Sequence, residues 1–312
     1  MNDLKKLFKR DRFYWGIMTV VMTLVVIYML VNVYGLEHKL FHLADYLERS
    51  QYLNELWNTY PGFNTDGVHF EMIPYSFLDY MVGANVIVAL IAQAVKLLTQ
   101  ETKNRTEVLR TFPVKSRNLL TCHYLSGLIM VGIPLLIQTA IIRLDILYVE
   151  KNTDFIFYNK EQLWIYAGKA VIIFMLYYSL LIVCKKVTNH VPATIFTFVM
   201  ANIAIEVISG YCLGMYYNLA ENNIFNWVFW VILTLVLILL SYIADKKKDC
   251  ARNGFYAFPI VHWVMMGIVF GEMFLTFYDV FENIPQAVSF LVAITASILI
   301  TAGVHFIAKP KN

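Results

Sequence analysis

The chain contains eight apolar stretches of about 20 residues, and this feature constrains its fold more than any other. They lie at about residues 13–35, 78–98, 120–142, 163–184, 191–213, 226–244, 258–278 and 286–308. A helix of about 20 apolar residues is long enough to cross the hydrocarbon core of a bilayer. Of the 312 residues, 59% are apolar and 15% are charged, whereas about a quarter of a soluble domain is charged. The sequence therefore predicts an all-α polytopic membrane protein with about eight spans.

The distribution of basic residues predicts how the chain is oriented. Most of the 25 Lys and Arg residues fall near residues 1–12, 96–117, 185–186, 246–252 and 309–311. With an even number of spans, all of these segments lie on the same side of the membrane. Lys and Arg near span ends are retained in the cytosol. We therefore expect both termini to be cytoplasmic and the protein to lie in the cell membrane.

The polar segment between the second and third spans has the pattern of a short, capped amphipathic helix. Thr106 is a suitable N-cap, Glu107 would lie in the first turn, and Pro113 would end the helix. The apolar side chains would share one face: Val108, Leu109 and Phe112. We predict a cytoplasmic helix that another protein holds.

Two further segments outside the spans have helical patterns. Residues 1–12 place Leu4, Leu7 and Phe8 on one face and basic residues on the remainder, which predicts an interfacial helix at the inner surface. A basic tail that only fixes the topology is the alternative. Residues 36–77 form a long outer segment in which a helix at 37–60 would either cover the outer mouth of the protein or only anchor the loop.

Three ionisable residues fall inside predicted spans, where an unpaired charge is costly. Lys169, Glu206 and Glu272 each lie roughly 10 Å below the outer end of a span, at about 1.5 Å per residue. A Lys169–Glu206 ion pair would fix the register of two neighbouring helices. The other interpretation is a polar transport path in which Glu272 titrates or meets a cationic substrate.

Several classes of chemistry lack the motifs that they need in this sequence. No P-loop, HExxH or CxxC spacing occurs. We therefore expect no enzymatic activity, bound metal or cofactor in this chain, and no nucleic-acid partner. If the protein uses ATP and magnesium, another chain must hydrolyse the ATP.

Small residues at helical spacing predict points of close helix packing. Gly267 and Gly271 have GxxxG spacing within the seventh span. We expect this pair to pack against another helix of the same chain, with a dimer seam as the alternative.

The order of these elements is similar to that of the permease subunits of ABC-2 type transporters. That family has an amphipathic N-terminal helix, two spans and then a cytoplasmic loop with a characteristic sequence. Here the matching positions are Glu101, Thr106, Val108, Leu109, Phe112, Pro113, Val114, Lys115, Ser116 and Arg117. The match is best over the first 140 residues. Phe112 replaces the commoner Leu, which keeps the surface apolar.

The resemblance implies a function for the loop as a coupling helix that docks into a separate cytosolic ATPase. The apolar face would fill a pocket of that ATPase, and charged side chains would orient it: Glu101, Arg105, Glu107 and Arg110. The resemblance also implies a second permease copy or a paralogous permease, and export or extraction of a hydrophobic or amphipathic substrate. A solvated loop that merely joins two spans is the alternative.

The resemblance also suggests a division of the chain. An interfacial helix at residues 1–12 would precede a six-span core at residues 13–244, which includes the coupling loop at 99–119 and the extracellular segment at 36–77. The ABC-2 core usually has six spans, so residues 245–312 would add a C-terminal pair of spans and a cytoplasmic tail.

Three other functions are compatible with the sequence. An ion- or proton-coupled secondary transporter would use Glu206 and Glu272. A membrane scaffold or sensor would use the loop to recruit a partner without transport. An intramembrane enzyme is the weakest alternative, because no catalytic constellation occurs within the spans.

Overall fold

The structure is a computed structural model of the chain, and it is almost entirely helical. It describes residues 12–14, 16–25, 27–28, 69–70, 75–100, 116–152, 156–157, 162–212, 224–247, 256–281 and 285–308. The helices, in chain order, are α1 (Arg12–Val25), α2 (Tyr75–Gln100), α3 (Ser116–Asn152), α4 (Gln162–Val187), α5 (Val191–Val207), α6 (Ile224–Lys247), α7 (Pro259–Val280) and α8 (Gln286–Ala308). A π-helical turn, Ile208–Cys212, continues α5.

Six of the helices in the described part of the chain are long and apolar enough to cross a membrane, namely α3 to α8. This confirms a multi-pass helical membrane protein. The apolar helical stretches Arg12–Val25 and Val86–Thr99, which belong to α1 and α2, are shorter. The count of eight spans therefore stays a prediction.

Proline and lysine residues explain where several helices begin and end. Pro192 and Pro259 lie in the first positions of α5 and α7, where the missing backbone N–H of proline costs no helical hydrogen bond. Lys186 and Lys247 lie in the last turns of α4 and α6, where a positive charge interacts favourably with the helix dipole. Local sequence thus sets these boundaries.

The chain divides into two compact units, and the first comprises residues 1–95, 121–175 and 217–227. Within it, the two-residue strands β1 (His69–Phe70) and β2 (Ile156–Phe157) pair in parallel. Polar contacts also join its helices. The Tyr14 hydroxyl of α1 donates a hydrogen bond to the Ala92 carbonyl of α2 at 2.6 Å. Such side-chain bonds contribute to helix association in lipid.

The second unit comprises residues 96–120, 176–216 and 228–312. Within it, α7 and α8 pack together as a hairpin, and α5 packs against α7. Their buried core consists of Met200, Tyr256, Met265, Met266, Val269 and Ala308. The backbone N–H of Ala257 donates a hydrogen bond to the Val187 carbonyl at 2.8 Å, which ties the start of α7 to the turn between α4 and α5. The predicted domain boundary at residue 245 stays a prediction.

Among the described residues, Gly267 and Gly271 do not show the close packing against another helix that their spacing predicts. A Cβ atom added at either glycine would meet no atom within 4 Å, so no other described part of the chain approaches them closely. The small buried residues of the hairpin lie on α8 instead, at i, i+4 and i+8: Ser289, Ala293 and Ser297. Small side chains at this spacing allow two helices to approach closely.

Candidate functional site

The predicted coupling segment lies between the end of α2 at Gln100 and the start of α3 at Ser116. Nine of its ten predicted contact residues lie outside the described residues: Glu101, Arg105, Thr106, Glu107, Val108, Leu109, Arg110, Phe112 and Pro113. The tenth, Arg117, is exposed in the first turn of α3. The structure therefore fixes the two helices that carry the segment, and the role of the segment stays a prediction.

Lys169 is buried in the first half of α4, with 6% of its surface exposed. Its Nζ atom lies 5.5 Å from the centre of the Tyr166 ring and 5.1 Å from the centre of the Trp227 ring. Tyr166 is one turn before Lys169 on α4, and Trp227 lies at the start of α6, in the same compact unit. The faces of both rings carry partial negative charge, so they stabilise the ammonium group away from water.

Glu206 lies at the end of α5 and is exposed. Its Oε1 atom accepts a hydrogen bond of 3.1 Å from the amide nitrogen of Asn202, one turn earlier. Its backbone carbonyl accepts a hydrogen bond from the Ser209 hydroxyl at 3.3 Å, within the π-helical turn. Lys169 and Glu206 belong to different compact units, and the predicted ion pair between them stays a prediction.

Glu272 is buried within α7, with 9% of its surface exposed. Its Oε1 atom has no hydrogen-bond partner among the described residues. A buried polar atom without a partner is unusual in a native protein and suggests a bound water, proton or ion. Of the three intramembrane residues, Glu272 therefore shows most directly the environment expected of a binding site.

Sequence reasoning missed two buried polar contacts. Gln93 of α2 is buried, and its Nε2 atom lies 3.0 Å from the Met130 sulfur and 3.5 Å from the Ser126 hydroxyl of α3. Lys186 of α4 forms an ion pair of 3.1 Å with Asp245 of α6, and both side chains are about nine-tenths buried. In the sequence, the contact of Gln93 is indicated only by the presence of a glutamine in the middle of an apolar span. The ion pair is indicated by Asp245, an acidic residue next to several lysines.

Within the described residues, no group of three or more His, Cys, Asp or Glu side chains could hold a metal ion. The polar groups of the spans are instead dispersed. Among the described residues they include a lysine between aromatic rings, a buried carboxyl group, the Lys186–Asp245 ion pair and helix-to-helix hydrogen bonds. Such an arrangement can stabilise helix packing or bind a cation.

Comparison with known proteins adds no assignment. No family model matches the chain, and neither a curated protein nor a solved structure matches it.

Proposed function

We propose that this chain is the membrane-spanning permease subunit of an ABC transporter of the ABC-2 type, driven by a separate cytosolic ATPase. It exports or extracts a hydrophobic or amphipathic substrate, and it works as a dimer with a second copy or a paralogous permease. Both termini and the coupling segment lie in the cytoplasm, and the protein lies in the cell membrane. ATP and magnesium bind to the partner ATPase.

The observation that carries the proposal is the sequence of the segment between α2 and α3. Its sequence predicts a short helix with an N-cap, an apolar face and a terminating proline within the few residues that connect α2 and α3. A connection that only reversed the chain direction would need turn residues and no apolar face. An apolar face outside the spans has a free-energy cost in water, so a pocket in a partner explains it.

The coupling mechanism follows from this predicted helix. An ATPase that closes on nucleotide moves as a rigid body, and it transmits that motion only to a compact element that fills its pocket. Leu109 and Phe112 supply the apolar contact, and Arg105, Glu107 and Arg110 fix its orientation. The six apolar helices of the membrane domain then move with the docked segment.

Loop variants test the proposal in native membranes. The tagged chain is purified with its bound proteins, and ATP hydrolysis by the eluate is measured. We expect an ATPase to co-purify with the wild type and to be lost, at least tenfold, from a Leu109→Asp/Phe112→Asp double variant that still inserts into the membrane. Asn104→Asp adds a carboxylate at a polar position of the same segment and should retain the ATPase. Equal ATPase recovery from all three proteins would refute the docking role.

Glu272 favours a second candidate function, an ion- or proton-coupled transporter. Its buried oxygen without a described partner is the environment that a transported cation would occupy. In that case, substrate flux in proteoliposomes would follow an imposed ion gradient without ATP, and Glu272→Gln would abolish it. Flux that requires ATP and the partner ATPase, and that ignores the gradient, would exclude this candidate.

A further inference from the structure

Two histidines meet at the open end of the α7–α8 hairpin, far along both helices from the connection between them. His262 lies in the first turn of α7 and His305 in the last turn of α8. The Nε2 atom of His262 is 2.9 Å from the Nδ1 atom of His305, and the ring centres are 4.9 Å apart. The distance is that of a hydrogen bond, so one nitrogen carries the shared proton and the other accepts it.

The number of protons on the pair determines whether this hydrogen bond can exist. With both rings neutral, one N–H group donates to the lone pair of the other ring. With one extra proton, the donor is cationic, and the bond becomes charge-assisted and stronger. With two extra protons, neither ring keeps a lone pair, so the bond is lost and two positive charges face each other. The two titrations are coupled and belong to the pair.

Aromatic rings surround the pair and can offset only part of a second positive charge. The rings of Tyr256 and Trp263 lie 5.8 Å and 5.6 Å from that of His262. Burial raises the pKa of the Tyr256 hydroxyl, so this group stays neutral. From α5, the core beside the hairpin receives the apolar side chains of Phe196 and Met200.

The charged groups of the neighbouring segments are mostly positive. Neither α7 before Glu272 nor α8 contains an Asp, Glu, Lys or Arg, and Glu272 is ten residues from His262, about 15 Å along the helix. The end of α4, to which Ala257 binds, carries Lys185 and Lys186, and His190 lies in the turn that follows. Cys184, also on α4, lies near Tyr256, and Asp245 already pairs with Lys186. In the sequence, Lys309 follows His305 and adds a further positive charge.

We propose that His262 and His305 form an acid-released latch that holds the open end of the α7–α8 hairpin closed. The latch is closed when both rings are neutral and when one ring carries an extra proton. It opens when both rings are protonated. The backbone hydrogen bond of Ala257 keeps the start of α7 on the α4–α5 turn, so release frees mainly the end of α8. The latch does not depend on which substrate or motor the protein uses.

Distances between spin labels test the latch in the purified full-length chain. The labels are placed at Ile260→Cys and Phe306→Cys, two side chains that are 72% and 77% exposed at the open end of the hairpin, after the four native cysteines are replaced. Between pH 8 and pH 6 we expect one narrow distance distribution. Histidine titrates at about pH 6.5 in the absence of neighbours, so pH 4.5 is far enough below this value to test the doubly protonated pair. Toward pH 4.5 the distribution should lengthen by several ångströms.

His262→Gln and His305→Gln remove one imidazole each and should make the distance independent of pH. His190→Gln, an exposed histidine of the α4–α5 turn, is the matched control and should leave the wild-type pH response unchanged. An invariant distance in the wild type, or the same lengthening in both imidazole variants, would overturn the proposal.

A double-mutant cycle gives a second readout that does not need the labels. At pH 8 the two histidines should be coupled by about threefold to tenfold in the unfolding equilibrium constant, as expected for one hydrogen bond. At pH 4.5 this coupling factor should fall to one, which means no coupling, or below one, which means that the two histidines destabilise each other. Coupling that is the same at both pH values would show an ordinary packing contact and would refute the latch.

Discussion

Helix α4 and the α7–α8 hairpin are similarly long and apolar, yet they have opposite environments. In the most apolar part of α4, 67% of the residues are buried inside the protein, compared with 22% in α7 and 17% in α8. The large side chains of α8 are mostly exposed, as in Leu291, Leu299 and Phe306. In α4, by contrast, Phe174 and Tyr178 are fully buried.

The difference shows that apolar composition places a helix in the membrane without deciding whether it contacts lipid or protein. Lipid tails are as apolar as leucine. Moving an apolar side chain from lipid to protein therefore stabilises the fold mainly through closer van der Waals packing. Polar residues are more informative, because their cost in lipid is large. The helix α4 buries Lys169, Ser179, Lys185 and Lys186, which marks it as a helix surrounded by protein.

The largest expected effect comes from the ion pair between α4 and α6. Asp245→Ala removes a partner of Lys186 and leaves a charge in a nearly buried position. We expect a loss of about 3 kcal/mol in the free energy of unfolding, measured in micelles titrated with sodium dodecyl sulfate. A Lys186→Met/Asp245→Leu double variant should recover most of this loss, because no charge remains unpaired. A loss below about 0.5 kcal/mol for Asp245→Ala would have the size expected of an exposed ion pair. It would show that this end of α4 is not enclosed by protein.

A pair of Phe truncations compares the two regions directly. Phe174→Ala in α4 removes a side chain with 0% exposure, and Phe306→Ala in α8 removes one with 77% exposure. The first leaves a cavity of roughly 100 Å³, whose cavity term is roughly 2 kcal/mol at about 24 cal/mol per Å³, and the transfer term adds little because lipid tails are as apolar as the protein core. The second should cost less than about 0.5 kcal/mol, because lipid fills the space. Similar losses for both variants would indicate that protein also covers the end of α8.

The sequence predicted the helices well, because the length of an apolar span and the residues that begin or end a helix are local properties. The predicted spans 191–213 and 258–278 agree with α5 followed by its π-helical turn and with α7, and Pro192 and Pro259 mark both starts. The burial of α4 relative to α8 could not be predicted. A helix that is apolar on all sides has no periodic pattern to show which face meets protein.

The candidate site was only partly predictable for the same reason. The depth of Lys169 follows from its position in the span, and Tyr166 three residues earlier could have been inferred from helical spacing. Trp227 could not, since it is distant in sequence and its contact depends on how α4 and α6 pack. Gly267 and Gly271 show the opposite case, in which a local motif predicted a close contact that the described part of the chain does not make.

Enlarging a small residue tests the one closely packed face of the hairpin. Ala293 of α8 is fully buried, whereas Ala302 on the same helix is exposed. Ala293→Leu should cost about 1.5 kcal/mol, because the added atoms force α7 and α8 apart. Ala302→Leu should change stability by less than about 0.5 kcal/mol. Both are read from the same detergent unfolding curves, and an equal effect of the two variants would disprove the close approach at Ala293.

The smallest effect concerns the aromatic rings around Lys169. Trp227→Phe keeps a buried ring but weakens its attraction for the ammonium group, and we expect a loss of about 0.5 kcal/mol. The matched change in the hairpin, Trp263→Phe, alters a side chain that is 66% exposed, has no lysine in its helix and keeps an aromatic ring beside His262, so its effect should be smaller. The attraction itself is measured by repeating both changes with Lys169→Met. In that background the loss caused by Trp227→Phe should become smaller while that of Trp263→Phe stays the same, and an unchanged loss for Trp227→Phe would assign the effect to ring packing rather than to the charge of Lys169.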